Sequence, residues 1–290
     1  MAKNVLKPMP AASSERWSSA LRHPSFVIGA LLTLALLLSA LLSLFWTPWP
    51  VYEVELALKL QTPSLAHWLG TDPLGRDVVS LLLVGSRNSI AVGVIAVGMG
   101  LSMGTALGLL AATRGGWMDE VIMRLADFTF AFPAILSAIM LTAVFGAGIG
   151  NSIIAIGIFN IPTFARISRA SAKSILAREY VLAARACGKG RWRITLEHVL
   201  PNILPVLIVQ ATIQFAIAIL AEAALSYLGL GTQPPQPSWG RMLSEAQTLL
   251  FQAPRLAVFP GLAIALAVMG LNLLGDGLRD ILDPRLSRRR

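Results

Sequence analysis

Long apolar runs alternate with short polar connectors along this chain, and the lengths of the runs predict its elements. Residues 26–46 form a first run of about 20 positions, enough at about 1.5 Å per residue to cross a hydrocarbon layer about 30 Å thick. It is longer than the core of a signal peptide, typically about 7 to 15 residues, so it predicts an uncleaved anchor. Five further runs, at 89–112, 121–145, 152–165, 200–228 and 256–274, predict five more spans. The expected fold class is an all-α integral membrane protein with six transmembrane helices. The run at 152–165 is the shortest and contains Asn160 and Pro162. Neighbouring helices must satisfy the backbone groups that the proline frees, and the helix is expected to continue past Arg166.

Composition supports this reading. Of 290 residues, 55% are hydrophobic and only 13% charged, too apolar a balance for an ordinary soluble domain. The formal charge of +9 sits in connectors and tails without interleaved aromatics, a pattern of membrane topology and not of nucleic-acid binding. The expected organisation is a tail at 1–24, a first span at 25–47, a connector at 48–88, a five-helix core at 89–275 and a second tail at 276–290. Cys187 is the lone cysteine, which excludes an intramolecular disulfide, and His23, His67 and His198 lack metal-ligand spacing.

Orientation follows from the basic residues. Lys3, Lys7, Arg16 and Arg22 precede the first span, whereas the 48–88 connector holds three basic residues against four acidic ones, so the amino terminus is expected in the cytoplasm. Alternation then puts the 113–120 turn, the 166–198 loop and the tail ending Arg288-Arg289-Arg290 inside. The connectors at 48–88, 146–151 and 229–254 fall outside.

The 166–198 loop is the most informative connector, with eight Lys or Arg against two Glu. Within it, Ala183, Ala184, Ala186 and Gly188 follow Glu179 and Tyr180, and helical spacing gathers Tyr180, Ala183, Ala184 and Cys187 on one side. Such small side chains let a partner approach the helix backbone closely, while Gly188 and Gly190 are stop signals. From spacing alone, a helix resting on anionic lipid through Arg185, Lys189, Arg191 and Arg193 explains the loop equally well.

Other residues admit structural and functional readings. Gly100, Gly104 and Gly108 form a small-xxx-small stripe suited to close helix packing, inside the bundle or between subunits. Gln210 and Gln214 share a face that lines a pore or hydrogen-bonds between helices. Glu222 lies about 31 Å along the helix that begins at Pro201, near the outer interface, where it acts as an outer gate or is simply hydrated. Arg124 and Asp127 are spaced for a local ion pair. Asp72-Pro73 reads as an N-cap with a first-turn proline, and Gln233-Pro234-Pro235-Gln236-Pro237 as a stiff connector.

Ala183-Ala184, three residues, Gly188, and Pro201 thirteen residues beyond that glycine resemble the EAA loop of permease subunits from binding-protein-dependent ABC importers. The family's leading Glu falls on Leu182 and its Ile before Leu-Pro on His198. Four further segments are similar to the dipeptide, oligopeptide and nickel branch: HWLGTDPLGRDVVS (67–80), MRLADFTFAFPAI (123–135), LSYLGLGTQPPQPSWG (225–240) and NLLGDGLRDILDP (272–284). The resemblance implies a type I importer permease fold and import of a small polar solute, and because no His, Cys or Met cluster in the spans suggests metal handling, peptides are favoured over nickel. It makes Glu179, Tyr180, Ala183, Ala184, Arg185 and Gly188 the docking surface for a cytoplasmic ATPase. It further implies a related permease chain, two ATPase subunits and an extracytoplasmic solute-binding protein as partners, in a bacterial inner membrane. No phosphate-binding GxxxxGK(S/T) loop is present, so this chain is expected to bind no cofactor, with ATP and its magnesium held by the ATPase subunits. The rival readings are an ion-coupled secondary transporter, which calls for acids near mid-membrane, and a non-transporting scaffold. No nucleophile and base pair points to an enzyme.

Overall fold

A computed structural model of the chain describes residues 23–282. The basic residues of both tails used to orient the chain, Lys3 to Arg22 and Arg288 to Arg290, lie outside the described residues. Among the described residues five helices are long and apolar enough to cross a membrane, or six when a sharply bent pair is counted as one span. In chain order these are α1 (Pro24–Phe45), α2 (Val78–Arg114), the bent pair α3 (Gly116–Phe130) and α4 (Ala134–Phe145), α5 (Ile149–Leu176), α7 (Arg191–Tyr227) and α9 (Arg255–Leu282). Two short helices join them: α6 (Glu179–Ala186) after α5, and α8 (Trp239–Ala246) after α7. The end of the bundle carrying α6 is called the basic end, and the opposite one the distal end.

The second span begins at Val78, not at residue 89. Asp77 is its N-cap, accepting from Ser80 N at 2.8 Å. Asp72, expected as a cap, instead closes a turn: its Oδ1 accepts from Leu74 N and Arg76 N, and its Oδ2 from Arg76 Nε at 2.6 Å. Gly75 allows that turn. It has φ +79°, and a Cβ there would lie 1.9 Å from the Glu55 carbonyl oxygen.

The third span is broken. Pro133 lacks an N–H and disfavours helix at Phe132, so α3 and α4 meet at 84°. The fourth span does continue past Arg166 and ends at Leu176. Its charged continuation is held by α3: Asp119 accepts from Arg169 and from Lys173 at 2.6 Å, and Asp127 pairs with Arg166. The expected Arg124–Asp127 pair therefore does not form. Arg124 reaches Glu120 one turn away at 3.1 Å, while Arg166 of α5 takes Asp127.

Packing divides into two apolar cores that share α2 and α7. One joins α1, the first turns of α2, the distal part of α7, α8 and α9; the other joins the rest of α2, α4, α5, α6 and α7 along its length. The glycine stripe of α2 serves the second core. A Cβ at Gly100, Gly104 or Gly108 would come within 2.4 Å of α5 atoms, from Asn160 to Ser168, so the stripe packs inside the bundle. Helix α1 buries only Gly29, Leu36, Ala40 and Ser43, and its many leucines face outward, as a lipid-facing helix requires. At the distal end the connectors fold into a cap. There Arg255 Nη2 donates to the carbonyls of Leu60 and Gln61, and Arg76 reaches Glu245 at 3.4 Å.

Candidate coupling site

Helix α6 is only eight residues long, and its seat on the bundle is set by one large apolar side chain. Val181 is fully buried, packed in the same core as Ile194 of α7. Ala184, one turn on, is half-buried against that core. The remaining positions are exposed, and Glu179, Leu182, Ala183 and Ala186 fall at i, i+3, i+4 and i+7, an open stripe along the outward face. Of the residues that spacing grouped as Tyr180, Ala183 and Ala184, Ala184 is the one half-buried against the bundle while Tyr180 and Ala183 are exposed. Tyr180 remains 46% exposed and meets the His198 ring edge-on at 6.2 Å.

The helix ends on Gly188, which has φ +82°. Its N–H donates to the Arg185 carbonyl, and Lys189 N donates to that of Ala184, the paired bonds of a glycine-terminated helix. A Cβ at Gly188 would meet open space, so the glycine is required by backbone conformation and not by close approach. Lys189 then bonds Glu197 at 2.7 Å, and Arg193 bonds the same carboxylate at 2.6 Å. The Lys189 bond ties the end of the α6 segment to the base of α7, where a π-helical stretch occupies Thr195–Val199. Arg185 is exposed and belongs to the outward surface.

The polar residues of α7 separate. Gln210 is half-buried and Gln214 buried. Glu222 is fully buried, which corrects its expected hydration at the outer interface. The segment after α7 folds back over it: Glu222 Oε1 accepts from Ser226 Oγ at 2.6 Å and from Thr232 Oγ1 at 3.2 Å. Ser89 of α2 and Ser238 lie beside the same carboxyl. Nothing in the local sequence announces this, because Ser89 is remote in the chain and the fold-back is tertiary. The proline-rich connector is only in part an external strap, since Pro237 and Ser238 are buried while 234–236 are exposed.

A family model described as the binding-protein-dependent transport system inner membrane component matches residues 104–288. A glutathione transport system permease protein, GsiD, of Pectobacterium atrosepticum is 43% identical over 277 residues, covering 94% of this chain and 91% of that protein. A dipeptide transport system permease protein, DppC, of Alkalihalophilus pseudofirmus is 43% identical over 260 residues, covering 90% and 86%. In fold, a chain of the MetNI methionine ABC transporter, solved in inward-facing conformations, superimposes with a TM-score of 0.59 at 19% identity, covering 70% of this chain and 97% of that one. The described helices, their order and these matches together make the chain a member of the binding-protein-dependent transport system inner membrane components, a multi-pass permease subunit of an ATP-driven importer.

Proposed function

We propose that this permease forms half of an import path for short peptides, with α6 as the helix that docks on a cytoplasmic ATPase. The observation that carries the substrate class is the pair of relatives named for dipeptide and glutathione transport, both of them short peptides. What supports the docking role is the outward stripe of Glu179, Leu182, Ala183 and Ala186 on a helix whose inner face is anchored by Val181. Tyr180, Arg185 and the Gly188 terminus border that stripe. The full assembly comprises this chain, a related permease, two ATPase subunits that hold ATP and magnesium, and an extracytoplasmic solute-binding protein. Both termini lie in the cytoplasm of a bacterial inner membrane, with Gln210 facing the path and Gln214 set behind it. ATP-driven closure of the ATPases moves α6, and α6 moves the spans.

The test is purification from the host in mild detergent. The chain is expected to emerge with one related permease and two ATPases, and the reconstituted assembly to take up dipeptide or glutathione only with ATP and the binding protein. Uptake by the lone chain from an ion gradient without ATP overturns the reading in favour of a secondary transporter.

Orientation has its own test in Cys187, the lone and exposed thiol just past α6. An impermeant maleimide is expected to label it in inside-out vesicles and to leave it unlabelled in intact cells. Labelling from outside reverses the topology and removes α6 from the ATPases.

A further inference from the structure

We propose that Glu222 is a positioning residue that locks the distal loop at 228–238 to α7, so that the loop and the ATPase-docking helix α6 report to each other through one continuous rod. The proposal rests on the docking role of α6 proposed above. Helix α7 runs without a break over 37 residues, about 55 Å at about 1.5 Å per residue. Its basic end is tied to α6 by the Lys189–Glu197 bond and by Val181 and Ile194 buried in one core. Its distal end carries the Glu222 knot.

Five polar side chains from three parts of the chain meet there, and all are fully buried: Ser89 of α2, Glu222 and Ser226 of α7, and Thr232 and Ser238 of the loop. Ser226 Oγ donates to Glu222 Oε1 and accepts from Thr232 N at 2.9 Å, and Thr232 Oγ1 donates to the same carboxyl oxygen. Glu222 Oε2 and Ser89 Oγ are left without a hydrogen-bond partner among the described residues. An apolar side chain would fill this space at lower desolvation cost. What the carboxyl supplies and a hydrocarbon does not is direction, because apolar contact is indifferent to register.

Around the knot the loop is keyed to three spans. Leu230 O accepts from Gly148 N beside α5 at 3.1 Å, Asn88 Nδ2 of α2 donates to Pro237 O at 2.6 Å, and Gly240 lets α8 lie against the backbone of Ala223 in α7. Within the loop, residues 228–229 and the tip at 234–236 are exposed. A force on that tip therefore reaches α7 through the Glu222 knot, and α7 delivers it to α6.

The experiment uses the whole purified transporter, comparing basal ATP turnover with turnover in the presence of a dialanine-loaded binding protein. Glu222→Ala is expected to assemble and keep basal turnover but to lose the several-fold stimulation, bringing the ratio near one. Glu222→Gln keeps the oxygen that accepts from Ser226 and Thr232, and is expected to retain most of the stimulation. Full stimulation in Glu222→Ala, or loss in Glu222→Gln equal to that in Glu222→Ala, overturns the proposal. If Glu222→Ala does not assemble, Thr232→Val removes the loop's own hydroxyl donor with little change of shape, and stimulation unchanged by it overturns the proposal equally. Failure of the importer reading would show separately, as wild-type turnover that no loaded binding protein raises.

Discussion

Ala183→Trp is expected to leave the chain in the membrane at its normal level while abolishing uptake and the recovery of ATPase subunits with it. Ala183 is exposed on the outward stripe of α6, so an indole there meets nothing in this chain and does not disturb its folding. A partner seated against Ala183 and Ala186 is held off by the width of the ring, and a docking interface loses its contacts when its centre is propped open. Ala184→Trp is not an equivalent probe, because Ala184 packs toward the core and its enlargement strains the bundle itself. Membrane immunoblots, co-purification and dipeptide uptake make the comparison. An α6 that merely rests on lipid tolerates the tryptophan, so normal uptake by the Ala183→Trp variant would falsify the docking assignment.

The second large effect is expected from Gly108→Leu, which should deplete the folded chain. A Cβ at Gly108 would already stand 2.0 Å from Ser168 Oγ and 2.4 Å from the Ala165 carbonyl oxygen. The second obstacle is backbone and cannot rotate away, so α2 and α5 must separate and lose their contacts on both sides of the site. Overpacking of this kind typically costs about 1–3 kcal/mol, and a backbone obstacle places it at or above the upper end. Gly98→Leu is the matched control, since a Cβ there has nothing within 4 Å. Detergent size-exclusion profiles and thermal inactivation should show Gly108→Leu aggregated or weakened and Gly98→Leu like the wild type. Equal behaviour of the two would contradict the packing described for the stripe.

The membrane class and the apolar spans were legible because hydropathy over a long run depends little on tertiary contacts. Boundaries were legible only where polarity changes abruptly. The first eleven residues of α2 escaped because Ser86, Arg87 and Asn88 interrupt the run, although Asp77 followed by Ser80 carried the cap signal. Pro133 marked the break between α3 and α4, but hydropathy averaged across 121–145 hides it. In α6 the spacing indicated a helix without indicating which face looks outward, because Val181 and Leu182 are adjacent apolar residues on different faces and only tertiary packing decides that Val181 is the buried one. For Glu222, counting along the helix gave its height but could not reveal the loop that covers it. Height along a span is a local property, whereas burial is decided by whatever folds back from elsewhere.

The elbow between α3 and α4 has a consequence for how this chain exists before it is part of an assembly. Helix α4 has 12 residues, about 18 Å of length, short of a hydrocarbon layer about 30 Å thick, so the elbow falls at membrane depth. Residues 131–133 there are exposed on the isolated chain, and the first N–H groups of α4 have no carbonyl one turn back to bond. Acyl chains offer no hydrogen bonds, so interrupted backbone at that depth persists only against protein or a water-filled path. An orphaned copy of this chain is therefore an unfinished solute in the bilayer. Its own stability and the covering of the elbow are a single equilibrium, in which whatever covers those peptide groups also stabilises the fold.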